Sequence, residues 1–410
     1  MQKKKNLFLI IVDQLRYDYK EFLPLLSKLA PVSLTCEINS IPTSSETQHA
    51  VISTGKLPKE HGVFGKVNLE EFIMKMEAGE YTTIAKLGVS YGFETNVIIG
   101  KSHLARILGS PLECAIRVYL DTKFPRINGY DIKRSKNIRT SFEKIDANKI
   151  TPDNVDSLLI PVLAYLSKQE SAYKQFYIVS LPSLDYIGHH HGPKSVSVIQ
   201  HLNYLDKSLS SLLLPKINNS TIVIVGDHGC RTISNYVIEF IENTNIGFSV
   251  YTRHRDQYDY GGKYRLKTEG ILQVIYDGGL LRIFGPKRLS DEDITMLGQF
   301  GDIIENATEI GSNSLVREIY HNSQHANLGD CVVVAKDNTT FCKANWLDTN
   351  TRYLVEDCER LNLYDLPIGE HGTYHPDDRK ILFMTNHTNN LNNLSNVDLR
   401  KVIEEIMGKL

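Results

Sequence analysis

The stretch DYIGHHHGP (185–193) puts three imidazoles behind a carboxylate. Neutral imidazole and carboxylate are ligands for divalent transition metals. A His-rich tract alone is only suggestive of a metal, and a polar loop of incidental composition competes with that reading. Other parts of the chain decide. Asp13 ends the apolar run 7–12, Asp227 and His228 follow the run 221–226, and His371 sits in the glycine-flanked stretch EHGTYHP (370–376). Each Asp taken singly fits a turn former or a helix cap. Taken together, Asp13, Asp185, His189, Asp227, His228 and His371 are enough donors for two ions. Zinc suits such a mixed Asp/His shell, with manganese as the alternative. Two ions can clamp both the attacking and the leaving oxygen of a phosphoryl transfer.

These side chains need elements that bring them to one edge. The runs LFLIIV (7–12), TNVIIG (95–100), QFYIVSL (175–181), TIVIVG (221–226) and ILFMT (381–385) are rich in β-branched residues and do not alternate. That pattern marks strands buried on both faces of a parallel sheet. The segments 156–169 and 198–214 carry apolar residues at helical spacing. Strands alternating with helices predict an α/β fold: a doubly wound, mostly parallel sheet with helices on both faces. In such sheets ligands bind beyond the carboxyl ends of the strands, where Asp13, Asp185 and Asp227 fall. The stretch 231–350 differs. Hairpins are expected at 271–284 and 329–343, with a helix over 290–307 between them. It reads as an inserted α+β cap on a core made of 1–230 and 351–410.

The segment PTSSETQHAVIST (42–54) can start a helix with Ser45 near its N-cap. A helix N-terminus receives anions, and a serine beside a metal there can become a nucleophile. At this point VDQLRYD, PTSSETQHAVISTGKLPKEHGV, DYIGHHHGP, GDHG and EHGTYHP form an ordered set. The set resembles the motifs of the alkaline phosphatase superfamily, most closely the type I phosphodiesterase/nucleotide pyrophosphatase branch, and is also similar to that of phosphonoacetate hydrolase. DHG alone is weak, but five motifs in order, with the tail TG-x-x-P-x-x-HG (54–62), are specific.

The resemblance implies one metal held by Asp13, Ser45, Asp227 and His228, and a second held by Asp185, His189 and His371. It implies Ser45, three residues after Pro42 and nine before Thr54, as the nucleophile that forms a covalent phosphoseryl intermediate; Ser44 is the competitor. His190 and His191 become bystanders in a tight loop. The expected substrate is a phosphodiester or nucleotide pyrophosphate. A phosphonate hydrolase or phosphomonoesterase is the alternative, and a mutase is a lesser one. Gln48 departs from the family's asparagine by one methylene, so its contact with a phosphoryl oxygen is open. Lys101 reads first as a solvated lysine, while the resemblance to phosphonoacetate hydrolase offers contact with the substrate's anionic group. The absence of x-Pro-x-Arg after Ser45 disfavours sulfatase chemistry. His61 is expected to pack the loop after the Ser45 helix, Arg16 to pair with a carboxylate, and His103, His321 and His325 to be surface or core histidines. A non-catalytic metal-dependent binding protein, or a purely structural metal domain, remains the reading from another class. A lost nucleophile or ligand would mark the former, and all seven positions are filled.

Bulk numbers are those of an ordinary globular chain. The 410 residues are 41% hydrophobic and 23% charged, with net charge −2, so no basic field calls for nucleic acid or membrane. The six cysteines include no CxxC pair and are expected to be mostly reduced. The apolar run behind the N-terminal lysines is too short for a signal core, which suggests a cytoplasmic protein.

Overall fold

The computed structural model describes residues 6–66, 69–110, 113–120, 125–128, 132–142, 151–242, 245–254, 257–266, 273–285, 289–304, 314–336, 338–343, 366–387 and 393–410. Its strands, in chain order, are Asn6–Val12 (β1), Val32–Glu37 (β2), Phe93–Ile99 (β3), Ile116–Leu120 (β4), Pro125–Asn128 (β5), Lys174–Leu181 (β6), Ser220–Gly226 (β7), Arg231–Thr232 (β8), Asn235–Glu242 (β9), Asn245–His254 (β10), Gln257–Arg265 (β11), Gln273–Asp277 (β12), Leu280–Phe284 (β13), Gly301–Ile304 (β14), Cys331–Ala335 (β15), Thr339–Lys343 (β16), Gly369–Glu370 (β17) and Lys380–Thr385 (β18).

The main sheet has the order β2-β18-β7-β1-β6-β3-β4-β5. From β7 to β4 every pairing is parallel. This is the mostly parallel α/β sheet that the apolar runs predict. The run 381–385 departs from that expectation, because β18 pairs antiparallel with both β7 and β2. An unbroken apolar run records burial on two faces, and burial does not depend on strand direction.

Strand periodicity sends alternate residues of β1 to opposite faces. Leu7, Leu9 and Ile11 join a core with Ala50 and Ile52 of the helix Ser45–Thr54 and with Val402, Ile403 and Ile406 of the helix Leu399–Lys409. Phe8, Ile10 and Val12 join a second core with Leu159 and Leu163 of the helix Asp156–Leu166 and with Leu202, Leu205 and Leu209 of the helix Val196–Leu213. Each such fully buried side chain contributes about 1.5–3 kcal/mol relative to exposure. The central strands are therefore anchored on both faces, and their carboxyl ends form a fixed edge.

Residues 235–343 supply two further four-stranded sheets, β11-β10-β9-β16 and β12-β13-β15-β14. The expected hairpin at 271–284 is present as β12 and β13, turning through Gly278-Gly279. The hairpin expected at 329–343 is not. Its two strands separate, β15 pairing with β13 and β14 while β16 pairs with β9. The helix expected over 290–307 spans only Asp291–Leu297; β14 follows, and 305–307 lie outside the described residues. Phe300 and Ile304 are apolar because they face a sheet core, so their helical spacing is incidental. Cys36, Cys114, Cys230, Cys331 and Cys342 are buried free thiols, while Cys358 lies outside the described residues. Among the described residues, no helix is long and apolar enough to cross a membrane.

Candidate active site

Adjacent parallel strands deliver the site. β7, β1, β6 and β3 are neighbours in the sheet. At their carboxyl ends stand Asp227 and His228, Asp13, the helix Ser183–His191, and Lys101. The His triplet is thus helical rather than a tight loop. Helical spacing places Asp185 and His189 on one face, with Nε2 of His189 3.3 Å from Oδ1 of Asp185. His190, on another face, is 60% exposed, 3.9 Å from Asp153 and apart from the cluster.

Ser45 is the first residue of its helix and is buried. Its Oγ lies 3.2 and 3.3 Å from the Asp13 carboxylate oxygens and 3.2 Å from Nε2 of His228. Nε2 of His228 is 3.1 Å from Asp13 and 3.6 Å from Asp227. His371 stacks on His228 with ring centres 3.8 Å apart, and its Nε2 is 3.7 Å from Asp185. All seven positions expected as ligands therefore converge. Ser44, the competing serine, bonds Thr47 instead.

Two residues behave unlike their sequence expectation. Lys101 is not solvated. Its Nζ is 2.5 Å from Asp13 and 2.9 Å from both Asp185 and Ser45 Oγ, and its side chain is 11% exposed. Gln48 is fully buried and turned away: its Nε2 donates to the Pro42 carbonyl at 2.9 Å, and its Oε1 accepts from Asn396 at 2.5 Å. The additional methylene lets the amide reach these partners rather than the group around Ser45.

Several contributors escape sequence reasoning. His49, one helical turn after Ser45, donates through Nδ1 to the Ser45 carbonyl at 2.8 Å and contacts Ser180 through Nε2 at 3.0 Å. Its place at i+4 on a helix was the available signal. His103 meets Glu46, the residue after Ser45, at 2.8 Å. Gln14 adopts φ 65 and is fully buried, and its backbone N–H donates to Asp227 at 3.1 Å. A Cβ at Gly188 would lie 1.8 Å from Gln14 Oε1, which explains the glycine between Asp185 and His189. Arg16 pairs with Asp18 and Asp377, as expected of it.

The donor set fits divalent ions. His189, His228 and His371 each place Nδ1 2.7–2.9 Å from a backbone carbonyl, of Gly369, Gly229 and Thr43. A carbonyl only accepts, so Nδ1 carries the proton and Nε2 can present a lone pair. That is the orientation which second-shell bonds give metal-binding histidines. Asp185 Oδ1 and Asp227 Oδ2 are buried without a hydrogen-bond partner. Donor atoms of Asp185, His189 and His371 lie within 4.8 Å of one another, as do those of Asp13, Asp185 and His228. Asp185 belongs to both groups.

Electrostatics point the same way. Burial, with the Asp13 charge beside it, raises Asp227 to about 8. Burial opposes charge on His228, yet Asp227 and Asp13 raise it to about 10. Burial also raises Asp13, but Lys101 and His228 outweigh it and hold that carboxyl at about 2. A dry cluster of carboxylates demands positive charge, which protons and Lys101 supply here and which bound cations can replace.

His61 packs the loop after the Ser45 helix, its ring edge-on to Phe72 at 5.7 Å and its Nδ1 accepting from the Val63 N–H at 3.0 Å. Burial holds it at about 3, so the folded His61 stays unprotonated while an unfolded His61 titrates near 6.5. The unfolded state then binds the additional proton, and stability present above 6.5 is lost as pH falls towards about 3. Asn at position 61 keeps an acceptor near Nδ1 but does not titrate. Melting temperatures across this range should fall less steeply for His61→Asn than for wild type, and equal slopes would contradict the assignment.

Residues 7–372 match the profile of the family described as Type I phosphodiesterase / nucleotide pyrophosphatase. Venom phosphodiesterase CdcPDE of Crotalus durissus collilineatus is 23% identical over 292 residues, 66% of this chain and 32% of that protein. The chain thus spans about a third of that curated relative. Murine ectonucleotide pyrophosphatase / phosphodiesterase 5, solved as an inactive variant in complex with AMP, superposes with TM-score 0.60 at 13% identity, covering 99% of this chain and 95% of that one. Phosphonoacetate hydrolase of Sinorhizobium meliloti 1021, in complex with phosphonoacetate, gives TM-score 0.64 at 13% identity, covering 99% and 96%. At such identities these likenesses show the fold.

Proposed function

Because the chain belongs to the type I phosphodiesterase/nucleotide pyrophosphatase family, we propose that it is a two-metal hydrolase of phosphodiester or nucleotide pyrophosphate bonds, with Ser45 as nucleophile. The family supports phosphoester hydrolysis; the two ions, zinc first, the covalent intermediate and the substrate class are the proposal. The observation that carries it is Ser45 Oγ, held at a helix start among Asp13, His228 and Lys101. Asp13, Ser45, Asp227 and His228 would hold one ion, and Asp185, His189 and His371 the other, with Asp185 near both. When bound, such ions would supply positive charge that favours an ionised serine and offsets charge on the phosphoryl and leaving oxygens.

Before the serine ionises, its Oγ–H donates to Asp13, which leaves an Oγ lone pair free to face the substrate. Lys101 donates to Oγ and stands ready for a phosphoryl oxygen. His49 fixes the backbone of Ser45. As the Oγ–phosphorus bond forms, the bond to the leaving oxygen breaks, and that oxygen takes a proton from water in place of the one Ser45 gave up to solvent. Water then cleaves the phosphoserine ester and restores the hydroxyl. Catalysis here is positioning plus charge stabilisation. The segment 231–350 is proposed as the cap that selects substrate.

Lys101 also favours a second reading. A fixed cation beside the nucleophile suits a substrate with additional negative charge, such as a phosphonate bearing a carboxylate, or a monoester. AMP and phosphonoacetate in the two similar structures fit either reading. Both are tested by comparing bis-p-nitrophenyl phosphate with p-nitrophenyl phosphate on zinc-reconstituted protein, with and without chelator. Chelator-sensitive diester cleavage is expected. A monoester preference that Lys101→Met abolishes would favour the second reading. Turnover indifferent to chelator would overturn the two-metal account.

A further inference from the structure

The loop that carries His371 is held from outside the main sheet. The turn between β12 and β13 lies against it, and the Gly279 N–H donates to the His371 carbonyl at 2.8 Å. The fit leaves no room for side chains. At Gly278, with φ +60, a Cβ would lie 2.6 Å from both Glu370 Oε1 and the His371 carbonyl. At Gly279 it would lie 2.3 Å from Thr373 and 2.6 Å from the Arg231 guanidinium. Gly372, with φ +113, passes so close to the Asp277 carbonyl that its own Cβ would lie 2.3 Å away.

The turn is itself braced from behind. Phe341 N–H donates to the Gly278 carbonyl at 3.1 Å, and Ala335 N–H to the Gly279 carbonyl at 2.8 Å. Buried Arg231 ties the parts together. It donates to Thr373 Oγ1 at 2.9 Å and to the Thr339 carbonyl at 2.7 Å, and pairs with Asp378 at 2.5 Å. On the site side, His371 Nδ1 donates to Thr43, and the His371 N–H to Glu370 Oε1 at 3.0 Å.

We propose that the Gly278-Gly279 turn is a positioning element for His371, so that the strands between 273 and 343 complete one metal half-site. This rests on the reading of His371 as a ligand. A ligand loop pinned between Thr43 on one side and a backbone turn on the other has its imidazole aimed before any ion arrives. A Cβ at Gly279 would collide with Thr373 and Arg231 and displace the loop, and His371 with it, from the position that faces Asp185 and His189.

The test is Co²⁺ titration of chelator-stripped protein, read by visible absorption. Wild type should bind two equivalents. Gly279→Ala should bind the first as wild type does and the second about tenfold or more weakly, with an altered spectrum. Leu281→Ala, a cavity in the same hairpin away from the loop, should lower the melting temperature yet leave the second equivalent within about twofold. Should Gly279→Ala not fold, the isosteric Thr373→Val, which cuts the Arg231 strut, should weaken the same equivalent. Two wild-type equivalents in Gly279→Ala, or in Thr373→Val where that stands in for it, would overturn the inference. So would a second-site loss in the variant used no greater than that in Leu281→Ala. His371→Ala separates the premise from the inference: if it binds both equivalents normally, the ligand assignment has failed and the turn has nothing to position.

Discussion

Ser45→Ala is expected to lose at least about 10³-fold in kcat/KM towards a diester while keeping two bound zinc ions and its melting temperature. The expectation follows from what Oγ does and does not hold up. It touches Asp13, His228 and Lys101, but each of these has other partners. Lys101 keeps Asp13 and Asp185, and His228 keeps Asp13 and the Gly229 carbonyl. Alanine is also a good helix former, so the start of the helix survives. What disappears is the hydroxyl that contacts Asp13, His228 and Lys101 together. Zinc content by elemental analysis separates lost chemistry from lost metal. Turnover within a few fold of wild type would remove Ser45 from the mechanism.

Asp185→Ala is expected to weaken both metal equivalents by about 100-fold or more, whereas His371→Ala weakens one. Asp185 alone among the expected ligands belongs to both clusters of donor atoms. Its Oδ1 faces His189 at 3.3 Å and His371 at 3.7 Å, while Oδ2 accepts from Lys101 at 2.9 Å. Removing it takes a charge from each half-site and leaves Lys101 with Asp13 as its remaining carboxylate partner. Competition titration with a chromogenic chelator measures each equivalent. An Asp185→Ala protein that loses one ion and binds the other normally would show that the halves do not share this carboxylate.

Much of the site was legible because strand ends are legible. Asp13 and Asp227 directly follow buried apolar runs, and Asp185 follows one within a few residues; parallel neighbours in a doubly wound sheet must present those ends on one edge. The limits have physical reasons. Lys101 also follows such a run, but a lone lysine carries no mark of burial until β3 is known to pair with β6 and so to place it over Asp185. Gln48 shares its helix with Ser45, and only the positions of Pro42 and Asn396 show where its amide goes. The antiparallel course of β18 and the parting of β15 from β16 depend on pairings between distant segments, to which local hydrophobic pattern is blind. Gly278 and Gly279 read as an ordinary hairpin turn; their packing against the His371 loop joins residues nearly a hundred positions apart.

The central claim is that Ser45 becomes covalently phosphorylated during turnover. It is tested most directly by the stereochemical course at phosphorus, using a chiral phosphorothioate diester hydrolysed in isotopically labelled water. Attack by serine followed by attack by water inverts phosphorus twice, so the account predicts net retention. Net inversion would mean that water attacks the substrate directly, and would contradict the nucleophilic role of Ser45.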